Sequence, residues 1–191
     1  MLMRYIFFAL LLILSLHSLG MADNVKDFEI DGMSIGDSLI EYKSLNEIEK
    51  AVKNKMMYPD SNFAVIVFNP NKPQPYDYIE IIYDITNKEY IIDALTGLVN
   101  YPNRYDECKK NKKNISDEFK LMFINAEIYE NESPHYYFPD SIVDQIDFYP
   151  KSGGFVRVSC TDWSEKLFKE NEWVDNLKVS IGSAKFSAFL N

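Results

Sequence analysis

Few side chains in this sequence have the types and spacing that chemistry needs. The histidines are His17, inside a leading apolar segment, and His135, in "PHYYFPD". Any Ser-His-Asp relay would have to use His135 as its base. There is no G-x-S-x-G, H-E-x-x-H or glycine-rich phosphate loop to accompany it, so no catalytic residue is assigned. Carboxylates are abundant. "EIDGMSIGD" gathers Glu29, Asp31 and Asp37 around Gly32 but lacks the alternating acids and distal glutamate of a calcium loop, and reads as a solvated turn. No metal or cofactor is expected. Asp140, Asp144 and Asp147 form a second acidic set, from which Asp144 stands out. A hydrolase built on paired carboxylates would use it, with a second acid facing it across a cleft. The remaining chemistry is aromatic. His135, Tyr136 and Tyr137, with Trp163 and Trp173, lie in or beside loops and offer amphipathic rings to a sugar or a partner.

The elements that must position these residues follow from hydrophobic period. "GDSLIEYKSLNEIEKAVKN" predicts two short helical pieces, the second opened by the capping box of Ser44 and Glu47. "FAVIVF" (63–68) predicts a central strand covered on both faces, and the proline-rich 69–75 an exposed connector. A meander over 76–101 is expected, with turns at Asn87-Lys88 and Thr96-Gly97. The first turn sets Ile85 opposite Tyr90, Tyr83 opposite Ile92 and Ile81 opposite Ala94. The stretch 103–129 reads as one long helix capped by Asn103, with Cys108 on its buried stripe and Lys112 interrupting that stripe.

A hairpin around Lys151-Ser152-Gly153 pairs Phe148 with Val156, Ile146 with Val158, Asp144 with Cys160 and Asp147 with Arg157. This register puts Cys160 on the apolar face and Asp144 beside it, where a charge needs a partner or sits at a wet strand end. A helix over 164–170, a strand over "NLKVSIG" and a last helix capped by Ser183 complete the chain. The sum is an α+β fold, a mostly antiparallel sheet with helices packed on one face. Two modules, each helical pieces followed by strands, suggest a duplication without residue-level repeats.

The leader fixes the compartment. Arg4 precedes an apolar run ending near Leu19, about 22 Å as a helix, too short for a bilayer core of about 30 Å. Small residues at signal-peptidase spacing follow, so residues 1–22 are expected to be a cleaved signal and 23–191 a single domain, periplasmic or secreted, with no stable membrane insertion after cleavage. Losing Arg4 leaves 19 Lys and Arg against 29 Asp and Glu, a formal charge of −10. Such a body repels phosphate backbones, which excludes nucleic acid as a partner. Lys109, Lys110, Lys112 and Lys113, flanked by acids, read as a solvated helix face. Cys108 and Cys160 are the sole cysteines. An oxidising compartment joins such a pair, and both occupy inward faces of a helix and a strand, so a structural disulfide is expected.

"FEIDGMSIGDSLIEY", "YDYIEIIYDITNKEYIIDALTGLVNY", the cysteine after it, "IDFYPKSGGFVRVSC" and "NLKVSI" together resemble a group of short exported proteins of small marine alphaproteobacteria. The resemblance spans nearly the whole mature chain. It implies a signal peptide, a shared cysteine pair and a periplasmic home; no activity is assigned to that group, so it transfers no catalytic residue. The helix-helix-strand opening is also faintly similar to outer-membrane assembly lipoproteins with an α-α-β-β-β module, but the lipidated cysteine of those proteins is missing here. The expectation is a non-enzymatic binding or interaction module acting on another envelope protein or a small ligand, through a sheet edge or the aromatic loop. A carboxylate hydrolase or a small-ligand carrier is the alternative.

Overall fold

The computed structural model describes residues 24–70 and 75–190. The expected signal segment and the middle of the 69–75 connector lie outside the described residues. After single helical turns at Val25–Asp27 and Leu39–Glu41, the first helix is α1 (Leu45–Val52). Its start is the expected capping box: Ser44 Oγ accepts from the Glu47 N–H at 3.4 Å, and the Glu47 carboxylate accepts from the Ser44 N–H at 2.9 Å.

Eight antiparallel strands follow in one sheet: β1 (Met56–Met57), β2 (Phe63–Phe68), β3 (Tyr78–Asp84), β4 (Ile92–Asn100), β5 (Glu127–Pro134), β6 (Ile142–Tyr149), β7 (Phe155–Asp162) and β8 (Asn176–Gly182). The remaining helices are α2 (Tyr105–Met122), α3 (Glu165–Asn171) and α4 (Ala184–Leu190). The spatial order is β1-β2-β3-β4-β8-β7-β6-β5. Two four-stranded meanders, each entered from a helix, therefore join through their last strands, β4 and β8. This is the α+β class read from the sequence.

Several local expectations are corrected. Strand β2 lies second from the sheet edge, with only the two-residue β1 outside it, rather than at the centre. The Thr96-Gly97 turn does not form. β4 runs straight through both residues because Tyr76 lies against Gly97, where a Cβ would come within 2.3 Å of the tyrosine ring. That glycine serves close packing, not a turn. Tyr83 faces Ile92 as expected, but a register shift beside it moves Ile81 opposite Leu95 instead of Ala94. Asn103 does not cap α2. It adopts φ 56°, and Arg104 enters the helix without a side-chain cap. α2 ends at Met122, so the tail of the expected helix becomes β5 instead.

The hairpin β6–β7 has the expected register at every pair named above. Alternation then divides the sheet into two faces. On the first, Ile79, Ile81, Leu95, Ile146, Phe148, Val156, Val158, Cys160, Leu177, Val179 and Ile181 are buried in one core, which α2, lying over β7 and β8, completes with Cys108, Ile115 and Phe119. Cys108 and Cys160 are disulfide-bonded, with Cα atoms 6.0 Å apart. α4, rather than joining this helical layer, turns to the second face. There Phe186 meets Phe63, Ile82, Ala94 and Phe155 in a separate small core. The Ser183 Oγ caps it by accepting from the Phe186 N–H at 3.1 Å.

Candidate functional site

Beyond the reach of α4 the second face is polar. β6 presents Gln145 and Asp147, β7 presents Arg157, Ser159 and Thr161, β8 presents Lys178 and Ser180, and β3 and β4 present Glu80 and Thr96. The long members pair with one another. Lys178 Nζ donates to both Glu80 oxygens at 2.9 and 3.0 Å, and Arg157 clasps the Asp147 carboxylate with two nitrogens, the Nη2 contact being 3.0 Å. Gln145 Nε2 donates to the same carboxylate at 3.0 Å, and Thr96 donates to Ser180 Oγ at 2.8 Å. A bidentate guanidinium–carboxylate clasp on a sheet is a rigid fixture.

The aromatic residues singled out from the sequence converge at one end of this face. Three backbone hydrogen bonds wind the β5–β6 loop tightly: His135 N–H to Ser141 O (2.8 Å), Phe138 N–H to His135 O (3.1 Å) and Ser141 N–H to Phe138 O (2.9 Å). The buried Ser141 then accepts from the Ser164 N–H at 3.0 Å, which ties this loop to the segment leaving β7. That tie brings His135 to Trp163, ring centres 5.0 Å apart, and Trp163 to Trp173 at 4.8 Å. Phe138, the last ring of the same loop, sits between them, 5.9 Å from Trp163 and 5.1 Å from Trp173. Tyr136 and Tyr137 meet edge to face at 4.8 Å outside the cluster, and Tyr136 is 89 % exposed. Edge-to-face contacts of this kind lock rings that would otherwise be mobile.

The loop also leans over the polar face. The His135 imidazole is held below its ordinary pKa, first by burial and then by the Lys178 charge. Its Nδ1 accepts from the Tyr137 N–H at 3.2 Å, which leaves the neutral ring's proton on Nε2. Tyr58, packed on Phe186 at 5.4 Å, is pushed up to about 12 by burial first and by Glu80 second, with Tyr137 adding a smaller effect of the same sign.

Among the described residues, no hydroxyl or thiol is hydrogen-bonded to the His135 imidazole. Asp144 lies elsewhere, on the helix-covered face inside β6, and not at a frayed strand start. Lys112 donates to its carboxylate. Two misfits of the sequence therefore explain each other: the lysine that breaks the apolar stripe of α2 and the aspartate that breaks the apolar face of β6 are partners. Among the described residues, no group of three His, Cys, Asp or Glu side chains could hold a metal ion, and no helix is long and apolar enough to cross a membrane.

No protein-family model, curated protein or solved structure matches the chain.

Proposed function

We propose that this chain is an exported binding module, periplasmic or secreted, that captures a segment of another envelope protein on the second sheet face. The observation that supports it is the assembly of His135, Tyr136, Tyr137, Trp163 and Trp173, from three separate segments, into one aromatic surface on which Tyr136, Tyr137 and Trp173 are exposed. Tyr, Trp and Arg are the side chains that dominate the binding energy of protein interfaces, because they bury large area at small cost in side-chain entropy. The clasped Arg157–Asp147 and Lys178–Glu80 pairs beside them fix charges in place before a partner arrives, the condition under which polar contacts add specificity. The disulfide fits an oxidising compartment.

The test is site-specific photocrosslinking in the native cell envelope. A photoreactive phenylalanine analogue at Tyr137 should give one discrete protein adduct, and the same probe at Asp106, fully exposed on α2, should not. Tyr136→Ala combined with Trp173→Ala should weaken that adduct about tenfold or more, the loss expected when interface anchors are truncated. Equal yields from Tyr137 and Asp106 would remove the assignment.

A further inference from the structure

A second site lies on the opposite side of the sheet. Lys109, Lys112, Lys113 and Lys120 line a cleft of about 290 Å³ between α2 and the strands β5 and β6. It exists because α2 lies over β7 and β8 and stops short of the sheet edge, leaving β5 exposed along nearly its whole length. The lysines recur with Ser116 on one stripe of the helix, at spacings of three and four residues. The solvated-face reading of the lysine run explains why those positions are charged, but it leaves Ser116 unexplained. Ser116 is 3 % exposed, lines the cleft, and its Oγ has no hydrogen-bond partner. A hydroxyl buried in that state is destabilising until a ligand or water engages it.

The lysines of the cleft suit an anion. Four ammonium groups lie among the carboxylates of Asp117, Glu130 and Asp144, with Asp106 beside Lys109, a local balance of charge on a chain whose net charge is −9. Lys112 is committed to Asp144 at the floor. The other three lysines are held by exposed pairs: Lys113 to Asp117 at 2.5 Å, Lys120 to Glu130 at 2.9 Å and to Asp117 at 3.9 Å, and Lys109, which also lies over the Tyr105 ring at 4.9 Å, to the fully exposed Asp106 at 3.6 Å. Such surface pairs exchange easily for a better-placed anion. The geometry points to a binding site for a small tetrahedral oxyanion, phosphate or the phosphate group of a small ester, which accepts from the Ser116 hydroxyl and is held by Lys109, Lys113 and Lys120. Ammonium groups act as point charges and suit a tetrahedral anion approached from several sides better than a planar carboxylate, which favours a guanidinium fork. The volume is at the small end of ligand pockets. The cleft and the aromatic surface occupy opposite faces, so either can fail without the other.

The experiment is thermal unfolding of the purified protein in sodium phosphate, in glycerol phosphate, and in sodium chloride at matched ionic strength. Phosphate should raise Tm by a few degrees in a saturable way that chloride does not reproduce, since a ligand that binds only the folded chain stabilises it by mass action. A response to both anions assigns the site to the free ion, and a response to the ester alone assigns it to phosphomonoesters. Ser116→Ala removes a hydroxyl that has no partner in the protein, so it should keep the fold, yet weaken the anion about tenfold or more. Lys113→Gln, on an exposed helix position, should do the same. Amide chemical shifts of Ser116 and Asp117 should follow the same saturation curve. Unfolding curves that do not distinguish phosphate, ester and chloride would overturn the site, as would an undiminished response in both variants.

Discussion

Lys112 and Asp144 show how a single charge can be both a misfit and a fixture. Their side chains are 15 and 16 % exposed, so neither is fully hydrated and neither is sealed in the core. Removing one partner of a fully buried pair costs roughly 3–5 kcal/mol, while replacing both with apolar residues of similar volume is often neutral. With the residual exposure counted, Lys112→Met alone should lower unfolding free energy by about 2 kcal/mol at pH 7, because the Asp144 carboxylate stays beside Ile146 and Cys160 without its counter-ion. Lys112→Met with Asp144→Leu should return to within about 1 kcal/mol of the parent. Urea denaturation of the four members of that cycle measures the coupling directly. Equal losses in the single and the double variant would mean that the pair contributes no coupling.

At the scale of elements, the disulfide joins α2 to β7, the contact on which the main core is built. The cysteines are 52 residues apart, so in the chain-entropy model the bridge should stabilise the fold by about 4 kcal/mol. The oxidised protein should therefore unfold at clearly higher urea than the same protein kept in reductant, with the sheet's circular dichroism retained in both below the transition. Coincident midpoints would show that helix packing alone holds α2 in place.

The same elements show what was legible beforehand. The β6–β7 register could be read because each strand has one apolar and one polar face, and a one-residue slip would have set Asp147 against Val156. Strand β5 could not. "EIYENESP" is exposed on both faces, so it carries no alternation, and its apolar neighbours extend the period of the preceding helix. Gly97 misled for a related reason: a glycine after threonine signals a turn locally, whereas its cause is the Tyr76 ring, twenty-one residues earlier. The aromatic residues of the candidate site were individually visible, but their convergence depends on the Ser141–Ser164 bond, a long-range contact with no pattern in sequence. Tyr58 was missed on the same account. Lys112 carried a signal, since it interrupted a helical stripe, and only the partner on β6 gave that signal a meaning.

The whole molecule joins two half-sheets, two unequal cores and an acidic surface, and its response to pH follows from which groups the fold binds differently from the unfolded chain. On the acid side Asp84 is held at about 2, first by the hydrogen bond from Lys185 and then by those from Thr86. Its carboxylate is depressed, so its contribution is present above the ordinary value near 4 and is lost as pH falls toward 2. The net charge of −9 acts in the opposite sense over part of that range, since protonating exposed acids relieves self-repulsion. At about 0.15 M salt the screening length is about 8 Å, so the paired Asp84 should prevail over diffuse repulsion. On the alkaline side Tyr76 and Tyr58 are pushed up to about 12, chiefly by burial. Raised groups stabilise the fold below their ordinary value near 10, and that contribution disappears as pH climbs from 10 to 12. Urea midpoints should therefore be flat from about pH 7 to 9 and fall at both ends, the first acid loss coming from His135, which is held below its ordinary value of 6.5 by burial. Asp84→Asn should flatten the acid limb and leave the alkaline limb unchanged, and Tyr76→Phe should do the reverse. Tyrosinate absorbance should lag behind that of free tyrosine until unfolding releases the buried rings. An acid limb of unchanged slope in Asp84→Asn would mean that Lys185 does not hold that carboxylate in solution.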